Sequence, residues 1–531
     1  MAITKRTFYS VLTNPNIFYY FCLILFCALV VLNSWIEEDA FITFRVVDNF
    51  MNGYGLRWNI NERVQSYTNP LWMLLHISAH PLTGSVVQST FLLSWLCLAG
   101  TLLVVRYTFE FSLLRHAALF LVPLLVSPTL TLFFTSGLET PLLSFLFVCF
   151  GFVLIRLPSH YWLWLSILTS ASICCRLDAV ILYTPIWMHL LYEYRRSLNL
   201  RDIIVGTIPI QAWMLFSLFY YGFFLPNTAL AKLNTGLPLL DYLRSGIAYT
   251  VDFLVADPWS GVLISAAAIY FPLCAWKSYR QGVSQANSNT AAAISIGITL
   301  YCCYIIYIGG YQLSLRMNSL PCIATCWLWL WRFPISSNSK YICYAMAALG
   351  IYHFALTSEE RRKIPLIAKQ HISGRPMAQY LFNKTGTSWF DYIVNTGTIT
   401  HQPDHTPKKL KVLVRRGIGQ HGYYNGPFEI IIDPLALSEP LLSRLPSNNP
   451  HLLRVGHIAR DIPNGYLEAV EKGTTQNMSA PLSHYYKKLQ LITQGELCNP
   501  ERLMTIIRFN LGEYDHLLNQ YLRETYPKTK H

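Results

Sequence analysis

The feature that most constrains this chain is a succession of long apolar runs separated by short polar connections. The first, IFYYFCLILFCALVVLNSW over 17–35, is close to the length that crosses a bilayer. It follows Lys5 and Arg6 with no small-residue cleavage site, so it reads as an anchor and not as a removed signal. Further runs fall at about 70–105, 117–134, 138–155, 161–175, 179–193, 203–224, 258–275, 289–308, 319–331 and 341–356. Composition agrees, since 53% of the residues are hydrophobic and only 13% are charged. We therefore expect a multi-pass α-helical membrane protein.

Basic connections orient the runs, because short cytoplasmic loops collect Lys and Arg. RYTFEFSLLRH (106–116), RLPSH (156–160), YEYRRSLNLR (192–201), KSYRQG (277–282) and RFPISSNSK (332–340) are placed with the N-terminus in the cytoplasm. The parity then closes at about 11 transmembrane helices, with NPLWMLLHISAH (69–80) dipping into the membrane and not spanning it alone. The remaining loops share the external face: 36–68, SGLET (136–140), RLDA (176–179), FLPNTALAKL (224–233) through about 257, GGYQLSLR (309–316) and the tail from about 357. This division gives a membrane part over 1–356 and an external soluble part over 357–531.

In the tail, the VLV and EIIID runs of KVLVRRGIGQHGYYNGPFEIIIDPLAL (411–437) read as strands. PNGYLEAVEKG (463–473) reads as a helix stopped by Gly473, and 499–526 is helical by period. A small α+β domain is expected. Trp389, Tyr392, Tyr423 and Tyr424 are candidates for stacking on sugar faces, with core packing as the alternative. Of the 13 cysteines only Cys498 lies in the polar tail, so the tail has no internal disulfide. The net charge of +13 fits cytoplasmic loops and anionic lipid. No basic stripe with interleaved aromatics points to nucleic acid.

The external loops carry the candidate chemistry. Glu37, Glu38 and Asp39 stand at the mouth of the first run. Asp39 to Asn52 reads as an amphipathic helix, with Phe41, Phe44, Val47 and Met51 on one stripe, ended by Gly53 and Gly55. Such a helix is expected to lie in the lipid interface. Asp39 suits a general base, and like-charge repulsion from Glu38 would raise its pKa. The alternative is a solvated acidic loop, and the triplet could also hold a divalent cation. Arg45, Arg176, Arg316 and Lys232 are candidate clamps for a leaving phosphate; pairing with Glu139, Asp178 or lipid headgroups is the alternative. His76 and His80 have metal-ligand spacing but no acidic or cysteine partner nearby, so a structural role is expected. No Walker loop, GxSxG, HExxH or CxxC occurs.

EEDAFITFRVVDNFMNGYGLRWNINERVQSYTNPLW (37–72) resembles the first external loop of the terminal β-(1→2) arabinofuranosyltransferases, membrane glycosyltransferases of the GT-C class. The resemblance continues through TSGLETPLL (135–143), RLDA, LPNTALAK (225–232), Arg316 and, in the tail, GYYNGP (422–427), DPLALSEPLL (433–442) and RVGHIARDIPNGYLEA (454–469). It implies an inverting transferase of the bacterial cytoplasmic membrane with its C-terminal domain in the periplasm. The donor would be a polyprenyl-phosphate-linked pentofuranose and the acceptor a glycan, glycolipid or glycoprotein of the cell envelope. Asp39 takes the position of the base, with Glu38 beside it. Glu62, Arg63, Tyr67, Thr68, Glu139 and Asn227 fall on motif positions that imply substrate binding. The chain departs from the pattern at Gln65-Ser66, where Glu-Gly is common, and at Gly309-Gly310-Tyr311, where Gly-Gly-Asp is common. Two other classes fit a multi-pass chain. A lipid-linked saccharide transporter would place ionisable residues at mid-membrane depth, and the apolar runs here are nearly free of them. A non-catalytic glycan-binding scaffold would keep its function when one carboxylate is changed.

Overall fold

Among the described residues the apolar runs fold as helices, but not each as a single rod. In the computed structural model the described residues are 15–32, 34–109, 117–282, 286–310, 315–333, 403, 405–447 and 457–526. The expected run at 341–356, the start of the tail near 357, Trp389 and Tyr392 lie outside them. Among the described residues three helices are long and apolar enough to cross a bilayer: Val86–Thr108, Pro258–Arg280 and Ala286–Tyr307. A fourth span results if the bent pair Leu200–Gly206 and Ile208–Tyr221 is counted as one. Asn16–Val31, Thr140–Arg156 and Tyr161–Cys175 are shorter apolar helices.

The run at 117–134, expected as one crossing, is broken into a π-helical turn Ala117–Leu121 and the short helices Val122–Val126 and Pro128–Phe133. Pro128 explains the break, because a proline disfavours helical geometry in the residue before it. That residue, Ser127, is extended, and its hydroxyl accepts from the Leu130 N–H. The run at 70–105 also divides, into Pro70–Thr83 and Val86–Thr108, with Gly84 left-handed between them.

The chain separates into two compact units, each built from three stretches of sequence. The first comprises 1–36, 91–208 and 243–399. Its helices approach closely where glycine allows it. A β-carbon on Gly297 would lie 2.2 Å from the Leu182 carbonyl, so Ala286–Tyr307 can pack backbone to backbone on Ala179–Glu193 only without a side chain there. A buried carboxylate missed in the sequence, Asp257, caps Pro258–Arg280 in this unit. It accepts from Ser127 Oγ (2.6 Å), Thr129 N (3.2 Å) and Ser260 N (3.1 Å).

The second unit comprises 37–90, 209–242 and 400–531. Strands β1 (Lys411–Val414) and β2 (Glu429–Ile432) pair in parallel, Lys411 opposite Glu429 and Val414 opposite Ile432. Parallel pairing needs a crossover, and the helix Gly419–Tyr424 lies in it. The side chain of Asn59 continues the ladder on β2: its Nδ2 donates to Ile431 O (3.1 Å) and its Oδ1 accepts from Ile431 N (3.0 Å). The helices Tyr466–Lys472, Ala480–Gln494, Pro500–Asn510 and Asp515–Thr525 follow, the first ended by left-handed Gly473.

The first-loop helix runs Ala40–Met51, inside its expected bounds. Its surroundings differ from expectation. The stripe expected to face lipid is buried at Phe41, Phe44 and Val47 and covered by protein. Phe41 meets Tyr423 and Tyr424, and Phe44 meets Tyr423 and His76. Tyrosines from distant sequence thus cover Phe41 and Phe44, and of the stripe only Met51, 36% exposed at the end of the helix, stays at the surface. Tyr423 is therefore a core residue.

Candidate functional site

In the second unit the acidic triplet divides its work. Glu37 is buried, 3% exposed, and its Oε2 accepts the Asp39 N–H at 3.0 Å. Glu38 turns the other way, and its Oε1 accepts the Gly419 N–H at 3.2 Å. A β-carbon on Gly419 would lie 2.0 Å from the Glu38 carbonyl oxygen, so the tail can reach this turn only through glycine. Asp39, half-buried, is the residue at which the helix Ala40–Met51 starts.

Arg45, one of the candidate phosphate clamps, is 2% exposed and holds main chain. Nε donates to Trp58 O (2.7 Å), Nη1 to Gly422 O (2.8 Å) and Nη2 to Glu429 O (2.7 Å), with the guanidinium 4.2 Å over the Trp58 ring. Gly422 makes room, since a β-carbon there would come 2.7 Å from Trp58 and 3.0 Å from Arg45 Nη1. Asp48, on the same helix, pairs with His405 at 2.8 Å.

Other residues of the first loop and the 224–233 loop are joined to the tail in the same way. Asn227 Nδ2 donates to Ala436 O (2.9 Å), Leu437 O (3.2 Å) and Glu439 O (3.2 Å), and its Oδ1 accepts from Ser443 Oγ (2.8 Å). Arg63 donates from its main chain to Thr493 O at 2.8 Å and from Nη2 to Gly495 O. Tyr67 is buried, its hydroxyl 2.9 Å from that of Tyr221. Thr68 and Lys232 are half-buried. Arg63, Gln65, Tyr221, Asn227 and Pro440 line a small pocket.

A group of buried acids lies in this unit. Burial pushes Glu62 up to about 7, against a hydrogen bond from Asn59 that pulls it down. Burial raises Glu439 well above the carboxylate range, the charge of Glu62 adds to this, and Tyr466 Oη donates to Glu439 Oε2 at 2.5 Å. Asp433, also buried, is pushed up to about 6 although it accepts from Leu435 N and Leu437 N, both at 2.9 Å.

In the first unit three predicted residues meet. Glu139 precedes the helix Thr140–Arg156, Arg176 follows Tyr161–Cys175, and Arg316 opens the turn before Ser319–Arg332. Glu139 Oε1 accepts from Arg176 Nη1 at 2.8 Å and lies 3.8 Å from Arg316 Nη2. Arg176 also grips Asp178 through Nε (2.9 Å) and Nη2 (2.5 Å). Glu139, Thr140, Arg176, Tyr301, Arg316 and Ser319 line a second small pocket. Its two guanidiniums are thus matched by two carboxylates, so it can offer hydroxyl-bearing ligands donors and acceptors together.

Among the described residues no group of three or more His, Cys, Asp and Glu is placed to hold a metal ion. His76 is buried between Trp72 O (2.8 Å) and Thr90 Oγ1 (2.6 Å), the structural role expected of it.

Comparison with known proteins agrees with the first-loop pattern. The terminal β-(1→2)-arabinofuranosyltransferase of Mycobacterium tuberculosis is 29% identical over 247 residues, 41% of this chain and 38% of that protein. Its namesake from Corynebacterium glutamicum is 25% identical over 341 residues, 55% and 47% of the two chains. The chain resembles the terminal β-(1→2)-arabinofuranosyltransferases. It matches less than half the length of either relative. No family model matches the chain. Among solved structures, ArnT from Cupriavidus metallidurans bound to undecaprenyl phosphate aligns over 80% of this chain and 76% of its own, with 13% identity and a TM-score of 0.42.

Proposed function

We propose that this protein is an inverting glycosyltransferase of the bacterial cytoplasmic membrane. It moves a sugar, a pentofuranose such as arabinofuranose, from a polyprenyl-phosphate donor to an external cell-envelope glycan. The observation that carries the reading is the division of labour in the acidic triplet. Glu37 and Glu38 each hold a main-chain N–H, and Asp39 stands half-buried at a helix start. The names of the two relatives support the same activity.

In this reading Asp39 takes the proton of the acceptor hydroxyl as its oxygen attacks the anomeric carbon. The bond from that carbon to the phosphate oxygen breaks, polyprenyl phosphate leaves, and the configuration inverts. Glu38 sets the turn that presents Asp39. Arg176, Arg316 and Lys232 are the proposed partners of donor phosphate and sugar. Glu62, Arg63, Tyr67, Thr68, Glu139 and Asn227 shape and hold the substrate-facing loops. The proposed topology has about 11 crossings, with the N-terminus in the cytoplasm and residues from about 357 outside.

The test is mass analysis of surface glycans and lipid-linked sugars from cells with and without the protein. We expect loss of a terminal sugar beside accumulated polyprenyl-phosphate donor. Unchanged glycans with unchanged donor would overturn the reading. Donor retained on the cytoplasmic side would replace it with transport.

A further inference from the structure

We propose that the helix Pro500–Asn510 rests in the membrane surface, immersing Met504, Ile507 and Leu511 in lipid. This helix is started by Asn499, whose Oδ1 accepts from Glu501 N and Arg502 N. It has two apolar faces. Ile506 and Phe509 are buried in the tail. Met504, Ile507 and the following Leu511 are 50%, 54% and 80% exposed. Their spacing of three and four residues puts them on one stripe. A soluble domain has no reason to leave such a stripe in water.

The neighbour of this helix says what covers it. Arg502, buried, donates from Nη2 to Phe219 O (2.9 Å) and Tyr220 O (3.0 Å). Asn510 Nδ2 donates to Gly222 O at 2.8 Å. Ile492 lies closest to Gly222, where a β-carbon would come 2.2 Å from its Cγ2, with Ile506 next to it. These bonds fix Pro500–Asn510 to the C-terminal end of Ile208–Tyr221, a helix of the bent pair that can cross the bilayer. Leu215 and Phe219 on that helix, and Phe224 and Leu225 just after it, are themselves exposed. On a crossing helix such side chains face acyl chains. The stripe in the tail continues that apolar surface within the same unit. Its polar edge is formed by Arg508 and Glu513, paired at 3.6 Å and both half-exposed. This is the arrangement of an interfacial helix, apolar side in the acyl boundary and charges at headgroup level. The proposal holds for any sugar and any acceptor.

The full chain is tested in phosphatidylcholine vesicles, with the exposed Cys303 and Cys498 replaced by serine. A bimane probe is attached to Ile507→Cys, to Leu511→Cys or, as the control, to Gln520→Cys on the helix Asp515–Thr525. Some of the lipid then carries a nitroxide on its acyl chain just below the headgroup. The probes at 507 and 511 are expected to lose at least half their emission, and the probe at 520 to keep its own. Equal emission at all three sites overturns the proposal. Cross-linking of the Ile507→Cys or Leu511→Cys variant into a disulfide dimer, with no quenching, assigns the stripe to a second copy and overturns it as well.

Discussion

Replacing Asp39 by Asn keeps the side chain's size and removes its ability to take a proton. A positioned base contributes roughly 100- to 10,000-fold, so Asp39→Asn is expected to fold, to bind donor and to turn over at least about 100-fold more slowly in a donor-consumption assay. Near-normal turnover would remove Asp39 from catalysis and leave Glu38 as the next candidate. Glu38→Gln should cost far less, because an amide oxygen still accepts the Gly419 N–H. Glu62 and Asp433 give a second expectation, in stability. A carboxyl whose pKa is raised on folding binds its proton more tightly when folded, so the stability it contributes is complete below its unfolded value and is lost as pH rises through its folded one. For Glu62 that window runs from 4.5 to about 7, and for Asp433 from 3.8 to about 6. Thermal melts of the detergent-solubilised protein should therefore be lower at pH 8 than at pH 5, and Glu62→Gln should flatten the difference. A melting temperature that rises over this interval in the unaltered protein would contradict it. The sequence placed Glu62 among the functional residues through its motif. That it is buried beside Glu439 was not legible, because the two acids stand 377 positions apart in the chain.

At the scale of elements, the first-loop helix shows what can be read from a sequence and what cannot. Its period and its glycine stop were local signals, and they place it to within a residue or two at each end. Its partner was hidden, because Tyr423 and Gly419 reach it from the other end of the chain. Arg45 was legible as a cation on the first-loop helix, and the three carbonyls that take its guanidinium were not. Arg45→Ala leaves those carbonyls without their donor, and an unsatisfied buried group costs about 1–3 kcal/mol. We expect a clear fall in melting temperature, with Arg45→Lys recovering only part of it, since an ammonium cannot span the same fork. A phosphate-binding Arg45 would instead raise the KM for donor and leave the melting temperature alone. Gly419→Ala should act like Arg45→Ala, because its methyl group would meet Glu38 main-chain atoms first, at 2.0 and 2.9 Å.

For the molecule as a whole, sidedness is the expectation most open to direct measurement. Asn425 is exposed in the tail, and Arg195 is exposed in the basic connection after Ala179–Glu193. In the Cys303→Ser, Cys498→Ser background, Asn425→Cys should react with an impermeant maleimide added outside intact spheroplasts, and Arg195→Cys should react only after lysis. The reverse pattern would invert the topology. Ser66, although in the first loop, is buried and would report nothing. The membrane class was legible in the run lengths, but the breaks inside those runs depended on single residues such as Pro128. The composition of the second unit from 37–90, 209–242 and 400–531 has a consequence in time. A ribosome adds roughly 5–20 residues per second, so the first loop is made tens of seconds before the tail that completes it, about 310 residues later, exists. Throughout that interval Arg45, Phe41 and Phe44 lack their final partners. The nascent protein must therefore pass an exposed stage during which chaperones and proteases compete for it. A premature stop ahead of Tyr423 and Glu429 would leave it there for good.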